Sequence, residues 1–132
     1  MVTIDVNSPD PLEEQIRREI QRAVAQGVVK PGDELPSVRQ LAGDLGIHWN
    51  TVARAYRRLR DDGLLTVGRG RTVTVRNTVL SDSSDPDRSA RVEALVDAAI
   101  TQAKLLGLSY EELQGTIARR LKLWRETWEG SS

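Results

Sequence analysis

The sequence predicts a mainly α-helical chain with one small β-hairpin, and three observations carry that prediction. Five stretches repeat apolar residues at helical spacing, and the first four of them close on a glycine. A single pair of β-prone tetrads flanks a Gly-Arg-Gly-Arg turn. The chain has 132 residues, enough for one domain or two small ones and too few for a large enzyme scaffold.

Residues 2–6, VTIDV, alternate as a short strand does. The segment DPLEEQIRREIQRAVAQG then reads as a helix: Asp10 is placed to cap, Pro11 to take the first helical position, and Glu13 to complete a capping box. Leu12, Ile16, Ile20, Ala23 and Val24 share its inner face, and Gly27 supplies the stop. VVKPGDELP is a connector that turns at Pro31-Gly32. SVRQLAGDLG is a short helix with a Ser37/Gln40 capping box, Val38, Leu41, Ala42 and Leu45 inward, and Gly46 at its end.

A third helix follows from near Trp49 to Asp62, stopped by Gly63. Two helices joined by a short glycine-containing turn have helix-turn-helix geometry. LLTV and TVTV around GRGR form the hairpin, which makes the unit a winged helix-turn-helix over residues 9–77. NTVLSDSSDPDRSA is almost without apolar content, and 78–90 reads as a linker. Residues 91–129 then carry two amphipathic helices joined at Gly107, the second opened by a Ser109/Glu112 capping box. The predicted architecture is therefore an N-terminal winged helix-turn-helix followed by a C-terminal α-helical hairpin.

Composition narrows the function. Hydrophobic residues make up 39% and charged residues 29%, as in soluble globular proteins and not disordered ones. There is no cysteine and one histidine, so no disulfide framework, thiolate metal site or cysteine nucleophile is available, and no cofactor or metal is expected. No apolar run approaches the roughly 18 residues of a membrane span, and the N-terminus lacks a basic-then-apolar signal. The expected compartment is the cytoplasm, with association to the nucleoid when DNA is bound.

Formal net charge is zero, which by itself argues against a nucleic-acid binder. Its distribution argues the other way. From Pro36 to Arg76 eight arginines face three acids, a net of +5, whereas from Leu80 onward seven basic residues face nine acidic ones, a net of −2. On a helix begun at Trp49, positions 50, 53, 54 and 57 share a face and read Asn50, Ala53, Arg54 and Arg57. An amide pairs with an adenine edge and a guanidinium with a guanine edge, each worth about 1–3 kcal/mol of base discrimination.

Small Ala53 permits close approach, while Thr51 and Arg58 flank the stripe where a hydroxyl and a cation suit phosphates. Arg39 begins the preceding helix within reach of the groove edge. The wing tip offers Arg69, Gly70 and Arg71, and arginine suits the narrow minor groove. His48 stands at the helix N-cap for a backbone or phosphate hydrogen bond, and Trp49 either contacts a thymine methyl or sugar or covers the end of the core. An arginine-bearing helix face is by itself most often merely solvated. The conjunction of helix, short turn, arginine helix and arginine wing in that order favours DNA.

With those residues identified, the chain resembles the GntR family of bacterial transcription regulators, and within it the short YtrA-like subfamily. The similarity is dense from Pro11 to Val75, in PLEEQI, VKPGDELPSVRQLAGDLGI, NTVARAYRRLRDDGLL and GRG, and covers about half the chain. It implies operator contacts from Arg39, from His48 to Thr51, and from Arg69-Gly70. His48 and Trp49 depart from the Ser or Asn cap and the polar or proline residue common there, and RTVTV replaces the usual GTFV of the wing.

The resemblance also implies a helical pair that dimerises with no sizeable ligand pocket. On this chain the dimer seam falls on Leu95, Ala99, Leu106, Leu113, Ile117, Leu121, Trp124 and Trp128. The physics agrees, since two helices cannot cover their own apolar stripes. The expected function is a sequence-specific, homodimeric repressor on an inverted-repeat operator of double-stranded DNA, in a subfamily often associated with transporter genes. The competing readings are a winged-helix module for protein–protein contact and a sensor holding a small-molecule effector near Trp124, Trp128 and the linker. No nucleophile–base pair, phosphate loop or metal-ligand spacing points to an enzyme.

Overall fold

Apolar residues at one-turn spacing build the first helix, α1 (Leu12–Ala25), which buries Ile16, Ile20, Ala23 and Val24. The structure is a computed structural model describing residues 2–68, 70, 72–77 and 86–129, with 128 and 129 described by backbone alone. Along it follow β1 (Glu34–Leu35), α2 (Val38–Leu45), α3 (Trp49–Asp61), β2 (Leu65–Val67), β3 (Val73–Val75), α4 (Arg88–Leu105) and α5 (Tyr110–Glu129). The chain divides into two compact units, residues 1–81 and 82–132.

Two expectations at the N-terminus fail. Residues 2–6 form no strand, and the backbone of Asp5 is engaged by a side chain instead of a neighbouring strand. The amide of Gln15 accepts from the Asp5 N–H at 2.7 Å and donates to the carbonyls of Asp5 at 3.0 Å and Asp10 at 2.9 Å. Val2 and Ile4 nevertheless pack against the core. The Asp10/Glu13 capping box is also absent: the helix starts one residue later, so Pro11 is the N-cap and no side chain caps it. Asp10 pairs with Arg18 at 2.8 Å and Glu13 turns to another helix.

The short helix α2 is built as its sequence predicts. Ser37 Oγ accepts from the Gln40 N–H at 3.1 Å while Gln40 Oε1 accepts from the Ser37 N–H at 2.9 Å. Its end is decided by Gly46, whose φ of 68° lies in the left-handed region that a Cβ disfavours. There the Ile47 N–H returns to the Ala42 carbonyl at 3.1 Å, reversing the chain into α3, which begins at Trp49. Helix α3 stops at Asp61, one residue earlier than expected, and Gly63 follows with φ 86°.

The hairpin is one strand richer than predicted. The sheet is three-stranded and antiparallel in the order β1-β3-β2, with Leu35 opposite Val73 and Val67 opposite the same residue from the other side. A two-residue strand carries no alternation to detect, so β1 is invisible until β3 offers it hydrogen bonds. Gly32 N–H to the Val75 carbonyl at 2.8 Å and Val75 N–H to the Asp33 carbonyl at 2.9 Å extend that pairing. The Gly68 N–H closes the hairpin on the Thr72 carbonyl at 2.7 Å.

One core unites the first unit. Val52, Ala55, Tyr56 and Leu59 of α3 meet Ile16 and Ile20 of α1, Leu41 of α2, and Leu35, Leu65, Val73 and Val75 of the sheet. The second unit is built differently. Gly107 and the Leu108 N–H, bonded to the Ala103 carbonyl at 3.1 Å, turn α4 into α5, and the Ser109/Glu112 box opens α5. Among its described residues only Ala103 is buried. Helix α4 starts at Arg88, three residues before the predicted 91, and most of the predicted linker 78–90 lies outside the described residues.

Ser37→Ala should lower the unfolding free energy by about 1 kcal/mol, the usual cost of a lost N-cap. Urea unfolding checks this: the midpoint falls while the denaturant slope stays unchanged.

Candidate nucleic-acid interface

The outward face of α3 is a consequence of its buried one. With Val52, Ala55, Tyr56 and Leu59 inside, residues 49, 53, 57 and 60 lie along one outer edge, and 54 and 58 along another about 100° away. His48 Nδ1 accepts from the Asn50 N–H at 3.1 Å, so this imidazole caps the helix. Its ring stacks on Trp49, centroids 5.6 Å apart and planes 27° from parallel. Trp49 itself is half exposed and stands on the groove edge.

That edge faces the wing across a groove of about 610 Å³. Arg39, Trp49, Ala53, Arg57 and Gly70 line it together, over a floor of Val38, Tyr56, Val67 and Val73. Arg60 also lines it, and the sequence reading missed this residue as a site. The signal was there: position 60 is three beyond 57 and seven beyond 53, two full turns on the same edge. Arg60 is also within 3.3 Å of Asp61, which moderates its charge.

Tyr56 is what fixes Arg39 at this groove. Its hydroxyl donates to the Pro36 carbonyl at 2.7 Å, tying α3 to the residue just before the α2 N-cap. Burial pushes the Tyr56 hydroxyl well above its ordinary pKa, so it remains a donor at any working pH.

The remaining arginines of α3 are not on the wing side. Arg54 Nε lies 3.7 Å from Glu13 Oε2 of α1. Glu14 is held below the usual carboxylate range chiefly by the Arg17 side chain, which donates to it at 2.7 Å, with Arg18 and Arg58 adding weaker attraction. Arg58 does not line the groove. Asn50 is exposed and Thr51 half-buried, both in the first turn of α3 and neither lining the groove. Arg69 and Arg71 lie outside the described residues, and Gly70 between them is exposed with φ 74°.

In the second unit Leu95, Ala99, Leu106, Ile117 and Leu121 are exposed, and Leu113 and Trp124 are half-buried. Thr116, Ile117, Leu121 and Trp124 border one shallow apolar depression on α5 together with Arg120. The side chain of Trp128 lies outside the described set. Among the described residues no cluster of His, Asp and Glu could hold a metal ion, and no helix is long and apolar enough to cross a membrane.

Residues 12–75, the whole helix–sheet unit just described, match the family of bacterial regulatory proteins called gntR. The HTH-type transcriptional regulator Rv1152 of Mycobacterium tuberculosis is 38% identical over 80% of this chain and 82% of its own length. The chain belongs to the GntR family. It is also 42% identical over 54% of its length to the HTH-type transcriptional repressor YtrA of Bacillus subtilis, spanning about half (55%) of that relative. The solved structure of YtrA from Sulfolobus acidocaldarius, a GntR-family transcription factor, superposes over 92% of this chain and 97% of its own with a TM-score of 0.59 and 31% identity. This GntR protein is thus of the YtrA-like kind, with a winged helix and C-terminal helices.

The groove carries a prediction. Arg39→Ala and Arg57→Ala should each weaken binding to a duplex from the protein's own upstream region by about 1–3 kcal/mol. Fluorescence anisotropy reads the affinity, and unchanged thermal melting shows the fold intact. A variant that keeps parental affinity removes its arginine from the interface.

Proposed function

We propose that this GntR-family DNA-binding regulator acts as a homodimeric repressor, with the α4–α5 unit clasping a second copy. The observation that carries the reading is the contrast between the two units. The first gathers most of its apolar residues into one continuous core, whereas the second leaves Leu95, Leu106, Ile117 and Leu121 in water, with exposures of 71, 80, 45 and 53%. Apolar faces of this extent are stable when covered, and a second copy supplies an identical face related by a two-fold axis.

Two joined copies would present two α3 helices to half-sites of an inverted repeat, one helical turn or a multiple of it apart. In that arrangement the first turn of α3, from His48 through Thr51, meets base edges with Asn50 outermost. Arg39 and Arg57 hold the flanking backbone, and Arg69-Gly70-Arg71 enter the minor groove. Repression is supported by the repressor role of the Bacillus subtilis relative and works by occupying a promoter. Occupation needs no chemistry, so the protein acts as a binder in the cytoplasm and not as an enzyme.

Leu121→Asp places a charge on the exposed α5 face while leaving the first unit's core untouched. Sedimentation velocity should show the parental dimer reduced to a monomer, and the gel-shift titration on the upstream duplex should lose tight binding. A variant that sediments as an unchanged dimer overturns the clasp. A parent that binds specific and competitor duplexes alike overturns the repressor.

A further inference from the structure

Arg54 is the right residue type on the right helix for a phosphate, yet α1 holds it. Its Nε stands 3.7 Å from Glu13 Oε2, with side chains 57 and 28% exposed. Glu14 next door is already engaged by Arg17 and Arg18. Glu13, in contrast, has Arg54 as its one ion-pair partner within 4 Å among the described residues. On the groove side Arg39 and Arg57 have no such pair among the described residues.

We propose that Glu13 is an affinity-limiting residue that competes with duplex phosphate for the Arg54 guanidinium. The inference rests on α3 being the DNA-binding helix. It adds that α1, a helix with no expected DNA contact, sets how many phosphates the module neutralises. A separation of 3.7 Å is longer than a hydrogen bond and lacks the bidentate fork that would lock Arg54 in a fixed pose. A loose exposed pair of this kind is worth well under a strong ion pair, so Glu13 and a phosphate compete for the cation on comparable terms and the pair keeps part of the population off the duplex. Every further phosphate that the protein neutralises releases counterions and steepens the salt dependence. Glu13 therefore holds one potential phosphate ligand in reserve.

The test uses the full chain and a random-sequence duplex, with anisotropy titrations over a range of salt concentrations and four proteins: parent, Glu13→Gln, Arg54→Ala and the double variant. Glu13→Gln should bind about two- to fivefold more tightly, the fold-change equivalent of an exposed pair. Its plot of log affinity against log salt should steepen by up to about 0.9, the increment for one phosphate. Arg54→Ala should cost more in the Glu13→Gln background than in the parent, and the double variant should show no gain over Arg54→Ala alone.

A gain that persists without Arg54 means Glu13 acts directly on phosphates and overturns the proposal. Weaker binding by Glu13→Gln, which would make the pair a buttress, overturns it as well, as does an unchanged slope. Arg54→Gln repeats the cycle should the alanine variant melt early. If the parent binds no duplex at any salt while melting cooperatively, the DNA role of α3 fails, and that result is distinct from a parent that binds and a Glu13→Gln variant that matches it.

Discussion

What α3 turns outward is dictated by what it buries. Val52, Ala55, Tyr56 and Leu59 are almost completely enclosed between α1, α2 and the sheet. Each large apolar side chain removed from water there contributes about 1.5–3 kcal/mol, and rotating α3 by one residue would forfeit several of them together. That packing holds Ala53 and Arg57 beside the wing and Asn50 at the exposed start of the helix. The Tyr56–Pro36 hydrogen bond passes the same constraint to α2, so Arg39 arrives at the groove as part of one rigid arrangement.

Electrostatics then act on a scaffold already in place. A chain with zero net charge can still bind a polyanion when its cations are gathered on one side. In this protein the gathering is finer than a count of arginines suggests. Along α3 one edge keeps Arg57 on the groove, and on a second edge Arg54 pairs with Glu13 of the acidic first turn of α1. The acids that cancel the net charge are in part neighbours of the very helix that carries the cations.

The two units solve the burial problem in opposite ways. Three helices and a three-stranded sheet close a core around α3 without help. Two successive helices in which Ala103 is the one buried residue among those described do not, and leucines such as Leu95, Leu106 and Leu121 remain in contact with water. The first unit's shape is settled by its own packing, whereas the second leaves apolar side chains exposed.

The helices, most of their ends, the α2 capping box, the turn at Gly46 and the residues facing the core are legible in the order of residues alone, because local periodicity and backbone chemistry within a few positions set them. That order also carries the family signature, from PLEEQI to the wing. The remaining features come from packing. The strand expected at 2–6 gave way to a Gln15 side chain ten residues on from Asp5, and β1 exists only because β3 lies beside it. Arg54 and Arg57 belong to one apparent stripe in the sequence, and Glu13, forty-one positions from Arg54, separates them. Pairings between distant segments leave no period to read, since each depends on where another helix has been packed.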